Sequence, residues 1–388
     1  MLSNDAVQER YDFLDWLRVI AIFVLFFFHT GMIFVGWGWH IVNDQTIPAL
    51  EWPMDIAHRL RMPLLFVIAG AGMWFALQRR TPGRFLQERT QKLVLPLIIG
   101  MFLIVPPQIY FERVLHGDWH GSFLGFYMAR VLQFHAYPSG DFSWHHLWFI
   151  AYLYVYVLLL LPAMLWWKRA CTRVAPGVWI FLLGMPLGIN ETLLKAAFPE
   201  AHNLVSDWYI FNHYLLLTIY GYVLASMPGA WKWLGDMRRW SLGLGVATIV
   251  FLIWGLTHGV IPHDSAADHV GANLFTWLWM MVFLGYGYRY LAFVNPLLRW
   301  ARDASYPIYI LHQTVIVAIG YVVIHLAWSP WVKYAVIVAL SMGTCVLLYQ
   351  VVVRRSNLLR LAFGMKTSPN TRAPHATMGL RPARDDVN

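Results

Sequence analysis

Apolar runs of about 20 residues recur from one end of this chain to the other, each long enough to cross the hydrocarbon core of a bilayer as a helix. Hydrophobic residues make up 59% of the 388 positions and charged residues only 13%, so little is left over for a soluble domain. Within lipid every backbone N–H and C=O must be satisfied internally, which leaves helices or a closed barrel. Runs of this length favour helices, and the fold expected is an all-α, polytopic integral-membrane bundle. Read against their flanks, the runs give ten spans, at 16–36, 59–78, 93–111, 145–167, 176–190, 208–227, 240–258, 271–290, 305–326 and 332–353. Residues 1–355 then form one transmembrane domain, and 356–388 a cytoplasmic tail that is largely disordered, being rich in Pro, Thr, Arg and Asp beyond Lys366. Trp (21) and Tyr (19) cluster near the ends of the runs, as interfacial belts do. The first run is too long for a signal-peptide core and no small-residue cleavage pattern follows it, so it is expected to remain as an anchor.

The formal charge of +9 is distributed unevenly. Arg79, Arg80, Arg84, Arg89 and Lys92 share one connection; Lys168, Arg169 and Arg173 follow on the same side, then Lys232, Arg238 and Arg239, then Arg289, Arg299 and Arg302, then the tail. The opposite connections hold few basic residues. By the positive-inside rule both termini lie in the cytoplasm, as a multi-pass protein of the inner membrane would place them. Nucleic-acid binding does not fit, because the charge is split among short membrane-proximal loops. Cys171 and Cys345 stand far apart, which supports neither a disulfide framework nor a metal site.

Two ionisable residues mark the first span. Arg18 and His29 are eleven positions apart, which on an α-helix leaves them about 20° apart in azimuth and about 16 Å apart along the axis. An ionisable residue inside a span is costly and is by default functional. Histidine suits proton abstraction from a hydroxyl near neutral pH, and arginine at the cytoplasmic edge suits a phosphate or carboxylate. Arg18 has a plainer role open to it, snorkelling or pairing with Asp15.

Other polar groups gather at the outer mouths of the spans: His40, Glu51, Asp55, His58, Arg59, Arg61, Asp141, His145 and His146. Asp55 can pair with His58 or Arg59 on one helical face and could orient a histidine. Arg61 could stabilise an oxyanion or hold an anionic group. His312, with Tyr306, Tyr309 and Gln313, falls near the midplane of the ninth span, where it either completes a reaction chamber or bonds helix to helix. The separations of His40, His58, His145 and His146 match no recognised zinc motif, and no metal is expected.

Several segments together resemble the membrane acyltransferase family 3. They are Leu14-Asp15-Trp16-Leu17-Arg18 leading to His29, Phe66 to Gly70, Lys92 to Pro96, His146 to Phe149, and Ser305 to His312. The family's arginine–histidine signature falls on Arg18 and His29. Trp39-His40 and the pattern from Asp55 to Met62 resemble a subgroup taken to succinylate periplasmic glucans. Family members often carry serine where this chain has Ala69. The resemblance implies an O-acyltransferase moving an acetyl or succinyl group from a cytoplasmic acyl-CoA to a hydroxyl of an extracytoplasmic carbohydrate or other envelope molecule. It also implies no tightly bound cofactor, with acetyl-CoA or succinyl-CoA as the donor substrate. His29 would act as general base or, alternatively, carry the acyl group covalently. Catalytic candidates are His29, Arg18, Asp55, His58, Arg61, His146 and His312. Candidates for the donor phosphates are Arg18, Arg79, Arg80, Arg84, Arg89 and Lys92, with Arg89 and Lys92 preferred. A transporter or exporter using His29 and Arg18 in its pathway is the competing reading.

Overall fold

The computed structural model describes residues 4–170 and 174–367, with side chains from Asp12 onward. Cys171 and Arg173, and the tail from 368, lie outside the described residues. Thirteen α-helices follow in chain order: α1 (Asn4–Gly31), α2 (Glu51–Gln78), α3 (Pro82–Ile99), α4 (Pro106–Leu115), α5 (Phe123–Ala129), α6 (Trp148–Ala170), α7 (Gly184–Leu194), α8 (Trp208–Ser226), α9 (Ala230–Thr257), α10 (Ala266–Tyr290), α11 (Pro296–Val323), α12 (Pro330–Val351) and α13 (Asn357–Ala362). Local chemistry sets many of the starts. Thr81, Ser265, Asn295 and Ser356 each cap a helix by accepting from a backbone N–H three residues on, and Pro occupies the first position of α3 and α11.

Among the described residues, eight helical stretches are long and apolar enough to cross a membrane. They include a 34-residue stretch, Pro82–Leu115, in which α3 runs through a π-helical turn at Gly100–Ile104 into α4. Pro106 and Pro107 cannot donate backbone hydrogen bonds there, which is the local reason for the change of winding. Of the ten segments expected from sequence, two fall short of that criterion. The segment at 176–190 folds as a 3-10 turn followed by the short α7. The segment at 208–227 folds as α8, whose Asn212, His213 and tyrosines dilute its apolarity. Much of α8 is covered by protein, so it needs no lipid-facing surface there.

The bundle centres on α1, which packs against α2, α10, α11 and α12. α2 is paired with α8, α9 with α10, and α3 with α6. The α2–α8 contact is a close one: a Cβ on Gly70 would stand 2.0 Å from the Thr218 carbonyl oxygen, and one on Gly221 would stand 1.9 Å from that of Val67. Only glycine admits backbones this near. Tyr222 donates to the Met164 carbonyl at 2.8 Å and Tyr156 to that of Phe211 at 2.6 Å, tying α6 to α8. α13, part of the presumed tail, packs against α3 instead of hanging free.

Candidate active site

α1 and α11 pack side by side, and each presents four residues at the same spacing, with a polar residue at either end. On α1 it runs Arg18, Ile22, Leu25, His29; on α11 it runs Arg302, Tyr306, Tyr309, Gln313. Steps of four, three and four keep such residues on one helical face. Cavities open at the two ends of these stripes. One, of about 620 Å³, is lined at the cationic end by Arg18, Ile22, Arg89, Lys92, Arg302, Tyr306 and Tyr309, with Ala69 and Gly72 from α2. The other, of about 330 Å³, is lined by His29, His40, His58, Arg61, His145, His146, His202, Tyr309 and His312. Tyr309 belongs to both walls, so its side chain stands between the two spaces.

His29 lies among aromatic rings. It stacks on Trp39 with centroids 5.8 Å apart and meets the His312 ring at 5.1 Å. Its Nδ1 is buried and has no hydrogen-bond partner. The neighbouring rings have their tautomers set by carbonyls. Nδ1–H of His312 donates to the Tyr309 carbonyl at 2.5 Å, leaving Nε2 buried and unpartnered. Nε2–H of His146 donates to the Ile310 carbonyl at 2.9 Å, and its Nδ1 faces the Gln108 amide at 3.4 Å. Tyr309 donates its hydroxyl to the His146 carbonyl at 2.5 Å. The His29 Nδ1 and His312 Nε2 atoms are therefore free to engage a guest molecule.

Arg61 enters the same cavity from α2. Its guanidinium lies 3.5 Å from the Phe28 ring centroid, one nitrogen donates to His58 Nδ1 at 3.3 Å, and Nε is buried without a partner. His58 also faces Glu200 at 3.7 Å. Glu200 sits in the α7–α8 connection, where burial raises its pKa but hydrogen bonds and charge from His202 and His58 outweigh that and hold it well below the usual carboxylate range. Asp55 pairs with Arg59 at 3.3 Å on the exposed flank and does not line the cavity.

A second layer supports the histidines. Nδ1–H of His40 donates to Glu112 at 2.5 Å, while its Nε2 accepts from the Gln313 amide at 3.0 Å. Gln313 also donates to Gln108, and Gln108 donates to Thr314 at 2.6 Å. Tyr137 donates to the other Glu112 oxygen at 3.1 Å; burial first, and then Glu112 itself, push its hydroxyl up to about 12, so it stays a donor at neutral pH. Arg113 stands 3.7 Å from Glu112 and 2.7 Å from Asp141. His40, Glu112 and His145 bring one potential metal-ligand atom each within 4.8 Å of one another. They do not suit a metal as they stand. His40 and His145 are stacked 4.6 Å apart with planes only 17° from parallel, so their in-plane lone pairs do not converge, and the His40–Glu112 contact is a hydrogen bond.

At the cationic end, Arg18 pairs with Asp15 at 2.9 Å, and Arg302 pairs with Asp12 and with Asp15 at 2.8 Å. Arg89 and Lys92 line the cavity and make no ion pair among the described residues, although Arg89 donates to the Gly72 carbonyl at 3.5 Å. Arg79, Arg80 and Arg84 are not part of its lining; Arg80 and Arg84 are bound to Glu88 at 2.6 and 3.3 Å. The structure thus gathers His29, His58, Arg61, His146 and His312 in one cavity and Arg18, Arg89 and Lys92 in the other. Sequence reasoning missed the parts of Gln108, Glu112, Tyr137, His202 and Arg302. The i,i+4 pair Gln108–Glu112 at the end of an apolar run was a readable signal.

Comparison with known proteins decides the family. A family model described as an acyltransferase domain, acyltransferase family 3, matches residues 11–350. The chain belongs to this family. It is a membrane acyltransferase, and the matched span holds both cavities apart from the last residues at the cationic end. Proteins called glucans biosynthesis protein C from Salmonella paratyphi B, Salmonella dublin and Salmonella enteritidis are each 23% identical to it over 392 aligned residues, covering 94% of this chain and 97% of theirs.

Proposed function

We propose that this acyltransferase moves an acyl group from a cytoplasmic acyl-CoA to a hydroxyl of an extracytoplasmic glycan, with His29 as general base. The observation that carries the reading is the pair of cavities meeting at Tyr309, one cationic and one rich in histidine. The donor's phosphates would rest at the cationic end, near Arg18, Arg89, Lys92 and Arg302, and its thioester would reach past Tyr309 toward His29. An extended pantetheine arm is of the order of the Arg18–His29 separation, about 16 Å. His29 would take the acceptor's hydroxyl proton as that oxygen attacks the thioester carbonyl; the C–S bond then breaks, and the departing thiolate recovers the proton from the imidazolium. The Glu112–His40–Gln313 chain holds the rings that surround the acceptor. The likeness to glucans biosynthesis protein C supports a glucan as acceptor.

This reading places the cationic end, with both termini, in the cytoplasm and makes the protein a ten-pass component of the inner membrane, with α8 and the α7 segment as the two remaining crossings. The concentration of basic residues in the connections at that end supports it.

Arg61, half-buried and holding a buried, unpaired Nε in the cavity that His29 lines, suits an anionic acyl chain such as succinyl. In nanodiscs, succinyl-CoA is expected to outpace acetyl-CoA, and Arg61→Ala is expected to lower the succinyl rate about tenfold or more while sparing the acetyl rate. Equal rates with both donors in both proteins would remove Arg61 from acyl recognition.

A further inference from the structure

Beyond the last long helix the chain turns back onto the bundle. Ser356 caps α13 by accepting from Leu359 N–H, and Phe363 is buried in the core. Gly364 then takes a left-handed conformation, φ +67°, and Met365 and Lys366 after it join the lining of the cationic cavity. Its backbone lies close to α3 and α11: a Cβ there would stand 2.7 Å from the Tyr306 ring and 2.9 Å from the Lys92 carbonyl oxygen. Tyr306 in turn donates to that same carbonyl at 2.9 Å. The turn is held from within as well, since Arg360 Nε donates to the Lys366 carbonyl at 2.8 Å and Met365 N–H to that of Arg360 at 2.7 Å.

The segment thus joins α1, α2, α3, α6 and α11 in walling the cavity. Arg360 and Lys366 join Arg89 and Lys92 around one space, and none of the four makes an ion pair among the described residues. Asp303 is the acidic residue in the lining, against these four and the internally neutralised Arg18 and Arg302. Four uncompensated cations facing a common cavity repel one another, and the arrangement is stabilised when a polyanion enters. We propose that the segment Ser356–Lys366 is a structural part of the donor site, and that Arg360 and Lys366 bind phosphate groups of the nucleotide portion of the donor. This rests on the assignment of the cationic cavity to the donor. Arg360 gives its Nε to the Lys366 carbonyl and Nη1 to that of Arg354 at 3.4 Å, which leaves its Nη2 and its charge for phosphate oxygens, and Lys366 supplies a second point charge.

An anionic lipid headgroup offers the same chemistry from a different source, so the test uses two lipid backgrounds. Binding of coenzyme A is measured calorimetrically with the full-length protein in nanodiscs of phosphatidylcholine alone and with added phosphatidylglycerol. The proteins compared are wild type, Arg360→Ala, Lys366→Ala, the double variant, and Arg239→Ala on the exposed face of α9 as control. Thermal melting of each sample accompanies the titration. Each single variant is expected to weaken coenzyme A binding about tenfold and the double variant more, in both lipid backgrounds, with melting and the control unchanged. Wild-type binding that is undiminished in the double variant would overturn the proposal while leaving the donor assignment intact. No binding to the wild type in phosphatidylcholine would instead overturn the donor assignment, and this proposal with it. Weakened binding confined to phosphatidylglycerol discs would identify the two cations as lipid contacts and also overturn it. Gly364→Val, which has no room for its side chain, should reproduce the double variant if it folds, and its melting curve decides that.

Discussion

Glu112 shows how a single side chain can order a site it barely enters. Buried and 2.5 Å from His40, it fixes that ring as an Nδ1–H donor, so that Nε2 accepts from Gln313 and the amide chain runs on to Gln108 and Thr314. Glu112→Gln keeps the shape but loses the charge-assisted bond, which is about twice as strong as a neutral one. The expected outcome is a fall of about tenfold in kcat with little change in KM for the donor; an unchanged kcat in folded protein would show that His40 needs no fixed orientation. At this scale much was legible. An ionisable pair eleven positions apart on one span announced Arg18 and His29, because helical spacing is independent of neighbours. The partners of those residues were not legible. Asp55 looked ready to orient His58, yet it reaches Arg59 on the exposed flank, while Glu200, from a connection 142 positions along, faces His58 instead. Such pairings depend on which elements meet, and that is decided by packing.

Among the elements, the α2–α8 contact is the least forgiving. The Cβ of any residue at Gly221 would fall 1.9 Å from a backbone oxygen that no rotamer change can move. Gly221→Leu is therefore expected to lose more than 3 kcal/mol or so, in the range of severe overpacking, and to fail to yield monodisperse protein. Wild-type yield and melting temperature for that variant would mean the two helices can part. The apolar runs revealed the eight long stretches well, since length and composition alone identify them. α8 and α7 were harder to judge. A helix shielded by protein can carry Asn212 and His213 without touching lipid, so its hydropathy no longer reports its position. α13 was concealed by the polar composition around it, which resembles a disordered tail until Phe363 is seen to dock.

Over the whole molecule, the basic connections and the cationic cavity fall at one end and the histidines at the other, with Tyr309 between them. That polarity makes transfer across a membrane geometrically direct, and it requires a definite orientation. Reporter fusions after Trp37 and after Arg80 are expected on opposite sides, the second in the cytoplasm; both on one side would refute the orientation. In the proposed reaction, His29 enables an acyl thioester to be consumed by an acceptor hydroxyl. The most direct measurement is free-thiol release from acetyl-CoA and succinyl-CoA by purified protein in nanodiscs, with and without cell-envelope glucans, for wild type and His29→Ala. Glucan-stimulated release is expected of the wild type, with a loss of about 100-fold or more in the folded variant. Release that persists in His29→Ala, or none from folded wild type with either donor, would contradict this reaction.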